Sequence, residues 1–345
     1  MGPTYPDPRE VELGYFEFST HLLALEVLRR GHEVSWLNRS YFVTEVAGHT
    51  IGFWCTRSNL ISSVAAKTAA RKDMTTRLLA QRGISVADSS TVSVKDPWKA
   101  LQLANELGYP IVVKPVSGMK GRGVTVDVRS DRAFRAAWNV ALEAGAARIM
   151  LERFFPGKEA RFLVVGDRSV AAVAKIPPHV VGDGTSTIQQ LIDRKNEARK
   201  ANPHLGKRPI TMSAYRIKRL RSQKLKLDSV LEDEQHVELD SKAAFSDGGE
   251  SVDITDVVHP SYHEVVGEIG RAFPGLDLAG VDLLAIDLEA PATPDNYVVC
   301  EVNSMPALGA HHFPGVGQPR DVAKLIIDQA FEHAQRLTEL GAPRV

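Results

Sequence analysis

A mixed α/β chain built as two or three lobes is predicted by three features of the sequence. These are a length of 345 residues, short apolar strands alternating with stretches of helical periodicity, and glycines that close the helices or turn the chain between strands. Single hydrophobic cores stop growing below such a length. The fold class is therefore α/β of the α+β kind, with strands and helices mixed in separate lobes.

In FSTHLLALEVLRRGHEVSWL the apolar residues keep helical spacing up to Gly31, and HEVSWL reads as a strand. Asn59 and Ser62 or Ser63 can cap the next helix, and AAKTAARKDMTTRLLAQRG reads as one basic helix running to Gly83. PWKALQLANELG is a helix closed by Gly108. It leads into YPIVVKP, a short buried strand with Lys114 at its end and Pro115 terminating it. SGMKGRGVTV is a glycine-rich turn between two strands, followed by a helix from about Asp131 to Gly145 and a strand at ARIMLERF. EARFLVVGDRSVAAVAKIP alternates about Gly166-Asp167, a two-residue turn that requires positive φ. From 182 to 250 the chain is polar, with a helix near STIQQLIDRKNEARK and a basic run KRLRSQKLK, and reads as an insertion. A helix at HPSYHEVVGEIGRAF, strands at LAGVDLLAIDL and NYVVCEVN and a helix at RDVAKLIIDQAFEHAQRL complete the pattern. The expected division is an N-terminal α/β lobe over 1–70, a small mixed lobe over 71–155 and a larger lobe over 156–345 carrying the insertion.

Lysine plus arginine and aspartate plus glutamate number 42 each, so no global field favours nucleic acid or an anionic membrane. The basic run at 218–226 has only Tyr215 as aromatic company and reads as a solvated face. Cys55 and Cys300 lie far apart without metal-ligand spacing, which excludes a disulfide framework and a zinc ribbon and suits a cytoplasmic setting. Both read as packing residues. MGPTYPDPREVELG is polar and broken by proline, and no apolar stretch approaches the roughly 20 residues of a membrane span. The expected partners are small molecules.

Three groups of residues carry chemistry. Lys114 precedes Gly118, Gly121 and Gly123, so a cation lies beside a loop whose backbone N–H groups can approach phosphate oxygens. No GK[ST] closes the loop, and it joins strand to strand, so it is neither a Walker sequence nor a dinucleotide fingerprint; a glycine turn beside a surface lysine is the other reading of this segment. Glu301 and Asn303 are two apart on an extended segment and share a face. If the strand holding Asp282 pairs with it, the three form an oxygen cluster suited to Mg²⁺; a self-satisfied polar rim is the alternative. In ERFFPGKEARFLVV, Glu152 closes a strand and Glu159 lies beyond a Pro156-Gly157 turn, an arrangement that serves either a purine and its ribose or an ordinary solvated loop.

Taken in order, Lys72, VVKP at Lys114, SGMKGRGVT, LERFFPGKEAR, the VDLLAID strand and EVNSMP resemble the ATP-grasp superfamily from about residue 65 onward. IPPHVVGDGTSTIQQLI, LDSVLEDEQHVEL, GGESVDITDVVHP and EVNSMPALGAHHFPGVGQPRDVA are similar to the branch holding the cyanophycin synthetases and the ligase half of fused bacterial glutathione synthetases. The resemblance implies an ATP-grasp fold whose central lobe is a lid and whose C-terminal lobe is catalytic. It implies a carboxylate–amine ligase acting through an acyl phosphate, with small-molecule carboxylate and amine substrates and homodimerisation as the default. Lys72, Lys114 and the loop Ser117, Gly118, Gly121 and Gly123 would contact ATP phosphates. Glu152, Arg153, Phe154 and Phe155 would lie at the adenine, and Glu159 at the ribose. Asp282, Glu301 and Asn303 would hold one or two Mg²⁺ ions, with Mn²⁺ as a substitute. Many members carry arginine two residues before the metal-binding aspartate, where this chain has Gly280. Arg161 or Lys175 is the expected replacement in stabilising the oxyanion, and His179 is a candidate base for the amine, each against the alternative of an ordinary polar surface. His311 and His312 fit either substrate contact or loop hydrogen bonding. A nucleotide-binding protein without catalysis is the competing function.

Overall fold

The structure, a computed structural model, describes residues 15–118 and 121–340. The proline-broken segment 1–14, Met119 and Lys120 of the glycine loop, and 341–345 lie outside the described residues. The chain forms two compact units, each assembled from separated stretches: Met1–Ser58, Ala171–Asp256 and Ala307–Val345 make the first, Asn59–Val170 and Val257–Pro306 the second. The boundaries expected near 70 and 155 both fall inside the second unit.

The first unit opens with α1 (Tyr15–Arg29) and an antiparallel sheet in the order β1 (Ser35–Asn38), β2 (Tyr41–Val46), β3 (His49–Trp54) and β4 (Arg57–Ser58). HEVSWL supplies β1; β2, β3 and β4 are additional to the single strand expected here. YFVTEV and HTIGFW alternate on either side of Ala47-Gly48, whose φ values of 53° and 82° suit a two-residue hairpin turn.

The second unit begins with α2 (Ser63–Ala69) and α3 (Lys72–Gln81), where one continuous helix is expected. The break lies at Arg71, whose backbone is extended (φ −119°, ψ 106°) and whose guanidinium binds the buried Asp73 carboxylate through Nε at 3.1 Å and Nη2 at 2.7 Å. Lys72 thereby becomes the first residue of a new helix. Next come β5 (Ser89–Ser93), α4 (Pro97–Leu107), β6 (Ile111–Pro115), β7 (Thr125–Val128), α5 (Asp131–Glu143), β8 (Arg148–Arg153) and β9 (Lys158–Val165). Strands β5, β8, β6 and β7 form one sheet in that order. Its core is built from Val113, Ile149 and Leu151 of the strands with Ala104 of α4 and Phe134, Ala137 and Ala141 of α5. Asp96 and Ser130 cap the two helices by accepting from Lys99 and Ala133 N–H groups.

Gly166 (φ 65°) and Asp167 connect β9 to β10 (Arg168–Ile176), and the unit boundary falls within β10. The first unit continues with β11 (His179–Val181), α6 (Ile188–Lys200), α7 (Ala214–Ser222), β12 (His236–Glu238) and β13 (Glu250–Asp253). The polar stretch expected as an insertion has its own apolar centre of Val180, Ile188, Ile192, Leu220, Val237 and Leu239. None of the basic residues of the run at 218–226 is buried, whereas Arg216, just before it, is 1% exposed. The second unit is completed by α8 (Pro260–Ala272), β14 (Leu278–Ala285) and β15 (Tyr297–Asn303), with β14 antiparallel to both β9 and β15. The first unit ends with α9 (Gly309–His312) and α10 (Val322–Glu339), and α10 packs against α1.

His311 and His312 are both buried in the first unit. His312 Nε2 accepts from the Ala323 N–H at 3.0 Å, so its ring is neutral. Burial, opposed by Asp321 and reinforced by Arg29, depresses its pKa to about 4. The unfolded chain takes up this proton near 6.5 and the folded one only near 4, so stability is untouched above that window and falls as pH drops through it. We expect a loss of roughly 1.4 kcal/mol per pH unit in that window. Denaturant unfolding of wild type and His312→Gln across it should show a slope steeper in wild type by that amount; equal slopes would contradict the assignment.

Candidate active site

Strand β6 delivers Lys114 into the interior of the second unit, where only 5% of the residue is exposed. An ammonium so placed needs a counter-ion, and β8, paired alongside, provides Glu152. Lys114 Nζ lies 2.6 Å from Glu152 Oε2. Burial alone would lower the lysine pKa; Glu152, Cys300 and Glu301 overcome that, and the net movement is upward. Lys114 is a fixed cation.

Lys72 reaches the same region from the start of α3. Its backbone N–H donates to Val116 O at 3.2 Å. Its ammonium donates to Gly118 O and to Glu301 Oε1, each at 3.3 Å. The helix break at Arg71, the glycine loop and β15 are thus tied together by one side chain. Within the loop, Ser117, Gly118 and Gly121 are exposed. Gly123 has φ 75°, and a Cβ there would lie 2.6 Å from Ala144 Cβ and 2.9 Å from Pro115 Cγ, so only glycine fits.

The strand pair expected to hold a metal has the required register. Asp282 stands opposite Glu301, and Gly280 opposite Asn303. Arg161 on β9 faces Asp282 across the other side of β14, and its Nε and Nη2 donate to the two carboxylate oxygens at 2.7 and 2.6 Å. A Cβ at Gly280 would lie 2.8 Å from Pro306 Cβ, so an arginine there would require Pro306 to shift. Among the described residues no group of three or more His, Cys, Asp and Glu converges as in a metal site. Asp282, Glu301 and Asn303 nevertheless offer only hard oxygen donors from adjacent strands, the chemistry a divalent cation such as Mg²⁺ selects. Arg161 and Lys72 now neutralise the two carboxylates.

At the end of β8, the expected adenine contacts have prior commitments. The Arg153 N–H donates to Asp88 O at 2.9 Å, and the Phe154 N–H to Pro110 O at 3.1 Å. The exposed Arg153 guanidinium pairs with Asp88 at 3.2 Å. Phe154 and Phe155 are half-buried, and Phe155 O accepts from the Gly157 N–H. Glu159 stands on β9 opposite Leu284 and is half-buried. Cys300, which reads from sequence as a packing residue, has its thiol in the field of Lys114, Glu152, Glu159 and Asp282. Burial and the three carboxylates raise its pKa against the opposing pull of Lys114, so it remains a neutral thiol among charges.

Lys175 and His179 belong to the first unit. The Lys175 ammonium lies 5.8 Å from the centre of the Phe245 ring. His179 Nε2 lies 3.1 Å from Lys195 Nζ, which also contacts Glu250 Oε2 at 3.1 Å and His179 O at 3.3 Å. An ammonium only donates, so Nε2 accepts and the ring proton sits on Nδ1, which donates to Pro177 O at 2.9 Å. Burial first, then Lys195, lowers the His179 pKa. Lys195 lies on the helix that the sequence shows near STIQQLIDRKNEARK and gains this role because the fold brings Glu250, 55 residues away in sequence, beside it. Replacing Lys195 by Met removes a neighbouring cation and leaves Glu250 uncompensated, so His179 should titrate at higher pH. An NMR titration of the ring protons checks this, and an unchanged or lower value would refute it.

Residues 71–196 match the family described as the ATP binding domain of the carbamoyl-phosphate synthase L chain. The chain is 35% identical over 276 residues to a cyanophycin synthetase of Synechocystis sp., covering 78% of this chain and 31% of that protein. It is 29% identical over 333 residues to a bifunctional glutathione biosynthesis protein of Clostridium perfringens, covering 92% of this chain and 42% of that one. Among solved structures, a bifunctional glutathione synthetase from Pasteurella multocida aligns with a TM-score of 0.68 at 27% identity, covering 92% of this chain and 45% of that one. The chain therefore spans less than half of the length of these relatives, from 31% to 45%.

Proposed function

The chain belongs to the ATP-grasp superfamily, and from that premise we propose that it is an ATP-dependent carboxylate–amine ligase joining small molecules of the amino-acid or peptide type. The observation that carries this reading is the meeting of two lysines from separate elements, Lys72 and Lys114, with a cross-strand carboxylate pair, Asp282 and Glu301, beside a glycine loop. ATP-grasp relatives use ATP, and this constellation has the charges that a triphosphate and its cation require.

The reaction is two displacements. A substrate carboxylate oxygen attacks the γ-phosphorus, ADP departs, and an acyl phosphate forms. The amine then attacks the acyl carbon, inorganic phosphate leaves, and the amine gives up a proton. The protein contributes position and charge rather than a covalent intermediate. Lys114, kept protonated by Glu152, and Lys72 neutralise phosphate oxygens, with Ser117, Gly118, Gly121 and Gly123 enclosing them. Arg153, Phe154 and Phe155 border the adenine through side chains and carbonyls, since the N–H groups of Arg153 and Phe154 are already bonded; Glu159 accepts from ribose hydroxyls. Asp282, Glu301 and Asn303 would hold Mg²⁺, or Mn²⁺ in its place. That ion supplies charge neutralisation when bound.

Arg161 and Lys72 balance Asp282 and Glu301 without it. Lys175 remains a counter-charge for substrate or oxyanion. His179 is a base only after Lys195 leaves its Nε2. The setting this reading implies is the cytosol. Incubation with Mg-ATP and pooled amino acids and short peptides should release ADP only when a carboxylate and an amine are both present, with a product of the condensed mass. ADP release that ignores the amine, or saturable ATP binding with no turnover on any pool, would count against a ligase.

A further inference from the structure

Four charged side chains of the second unit form a connected set. Arg161 on β9 is directly opposite Asp282 on β14, and Asp282 is directly opposite Glu301 on β15, so these three share one face of the sheet. The second opposition depends on a bulge. The register passes from Asp282–Glu301 to Leu283–Val299 and skips Cys300; without that extra residue Asp282 would face the thiol instead. Like charges directly opposite on paired strands repel, and with Asp282 only 4% exposed, solvent screens the repulsion poorly. Each acid therefore has its own cation. Arg161 takes both oxygens of Asp282, the bidentate form of such a pair. Lys72, from the start of α3, takes Glu301 Oε1.

Both cations thus bind the two carboxylates expected to hold a divalent ion, and an ion approaching the same Asp282 oxygens meets the guanidinium. We propose that Arg161 and Lys72 are exchangeable counter-ions, which leave Asp282 and Glu301 when a divalent cation binds those carboxylates. The exchange conserves charge, because two monovalent cations give way to one divalent ion. It rests on the ligase reading for what the released side chains do next: Lys72 meets phosphate oxygens, and Arg161 becomes a counter-charge for the oxyanion. In nucleotide-free protein the ion must expel two cations that have no anion to receive them, so it binds weakly. Nucleotide supplies the receiving anions, so nucleotide and ion bind cooperatively, each raising the affinity of the other by the same factor.

Titration of the nucleotide-free full chain with Mn²⁺ tests this, the free ion being read by its electron paramagnetic resonance signal. Arg161→Gln and Lys72→Gln each remove one competitor and should tighten Mn²⁺ binding by about tenfold. Adding Asp282→Asn to Arg161→Gln should cancel the gain, which ties it to these carboxylates. The Glu301 side chain is 30% exposed, so Lys72→Gln leaves no deeply buried charge and reads the exchange even where Arg161→Gln unfolds. No substrate enters the titration, so its failure is distinct from a failure to release ADP. A wild type that binds Mn²⁺ as tightly as either single variant, or a gain that survives Asp282→Asn, would overturn the proposal.

Discussion

Replacing Lys114 by Met should remove ATP binding and lower the unfolding free energy by about 3–5 kcal/mol, because Glu152 would be left charged and unpaired in the interior. The two effects have different origins, and a second substitution separates them. In Lys114→Met with Glu152→Gln, the uncompensated charge is gone, and most of the lost stability should return. ATP binding should not return, since the cation for the phosphates is still missing. Calorimetric titration with ATP and denaturant unfolding read the two quantities. Recovery of ATP binding in the double variant would show that Lys114 serves only as a counter-ion for Glu152.

A loss of comparable size is expected at Arg216, in the first unit. Its guanidinium is buried and makes four contacts within the first unit: Nε to Asp240 at 2.9 Å, Nη1 to Thr211 O at 2.7 Å, and Nη2 to Asp247 O at 2.6 Å and Asp247 Oδ2 at 3.0 Å. Arg216→Met leaves the buried Asp240 without its cation and should cost about 3–5 kcal/mol. Arg216→Lys should recover only part, because a single ammonium cannot reproduce the planar fork. Hydrogen exchange should locate the loosening between residues 182 and 250, where α7 and the segment after β12 are held together. A stability loss below about 1 kcal/mol would show that Asp240 is solvated and that the hub is not structural.

Features governed by local pattern were legible in the sequence. Glu301 and Asn303 share a face because strands alternate, and the strand that carries Lys114 stops at Pro115, one residue beyond the lysine. Asp282 lies opposite Glu301 as expected. What escaped depends on register between distant segments. Arg161 meets Asp282 across 121 positions, and Lys195 meets Glu250 across 55. No local spacing encodes which cation neutralises which carboxylate. The break between α2 and α3 was hidden because no residue near it disfavours helix; the Arg71–Asp73 bond and the Val116 carbonyl select it. The apolar centre of 182–250 was hidden by dilution, its buried residues being spread among charged ones. The hairpin β2–β3 does have a local signal in YFVTEVAGHTIGFW, where period-two alternation flanks a turn dipeptide.

Transfer of phosphoryl to a carboxylate before the amine reacts is the central step of the proposed reaction. The direct measurement is the fate of oxygen: amino-acid and peptide pools labelled with ¹⁸O in their carboxylates, incubated with Mg-ATP and protein, with mass analysis of the released phosphate. One ¹⁸O should appear in each inorganic phosphate formed with product, alongside ADP, and Glu301→Ala should abolish the signal. Unlabelled phosphate, or AMP and pyrophosphate in place of ADP, would contradict an acyl-phosphate ligase.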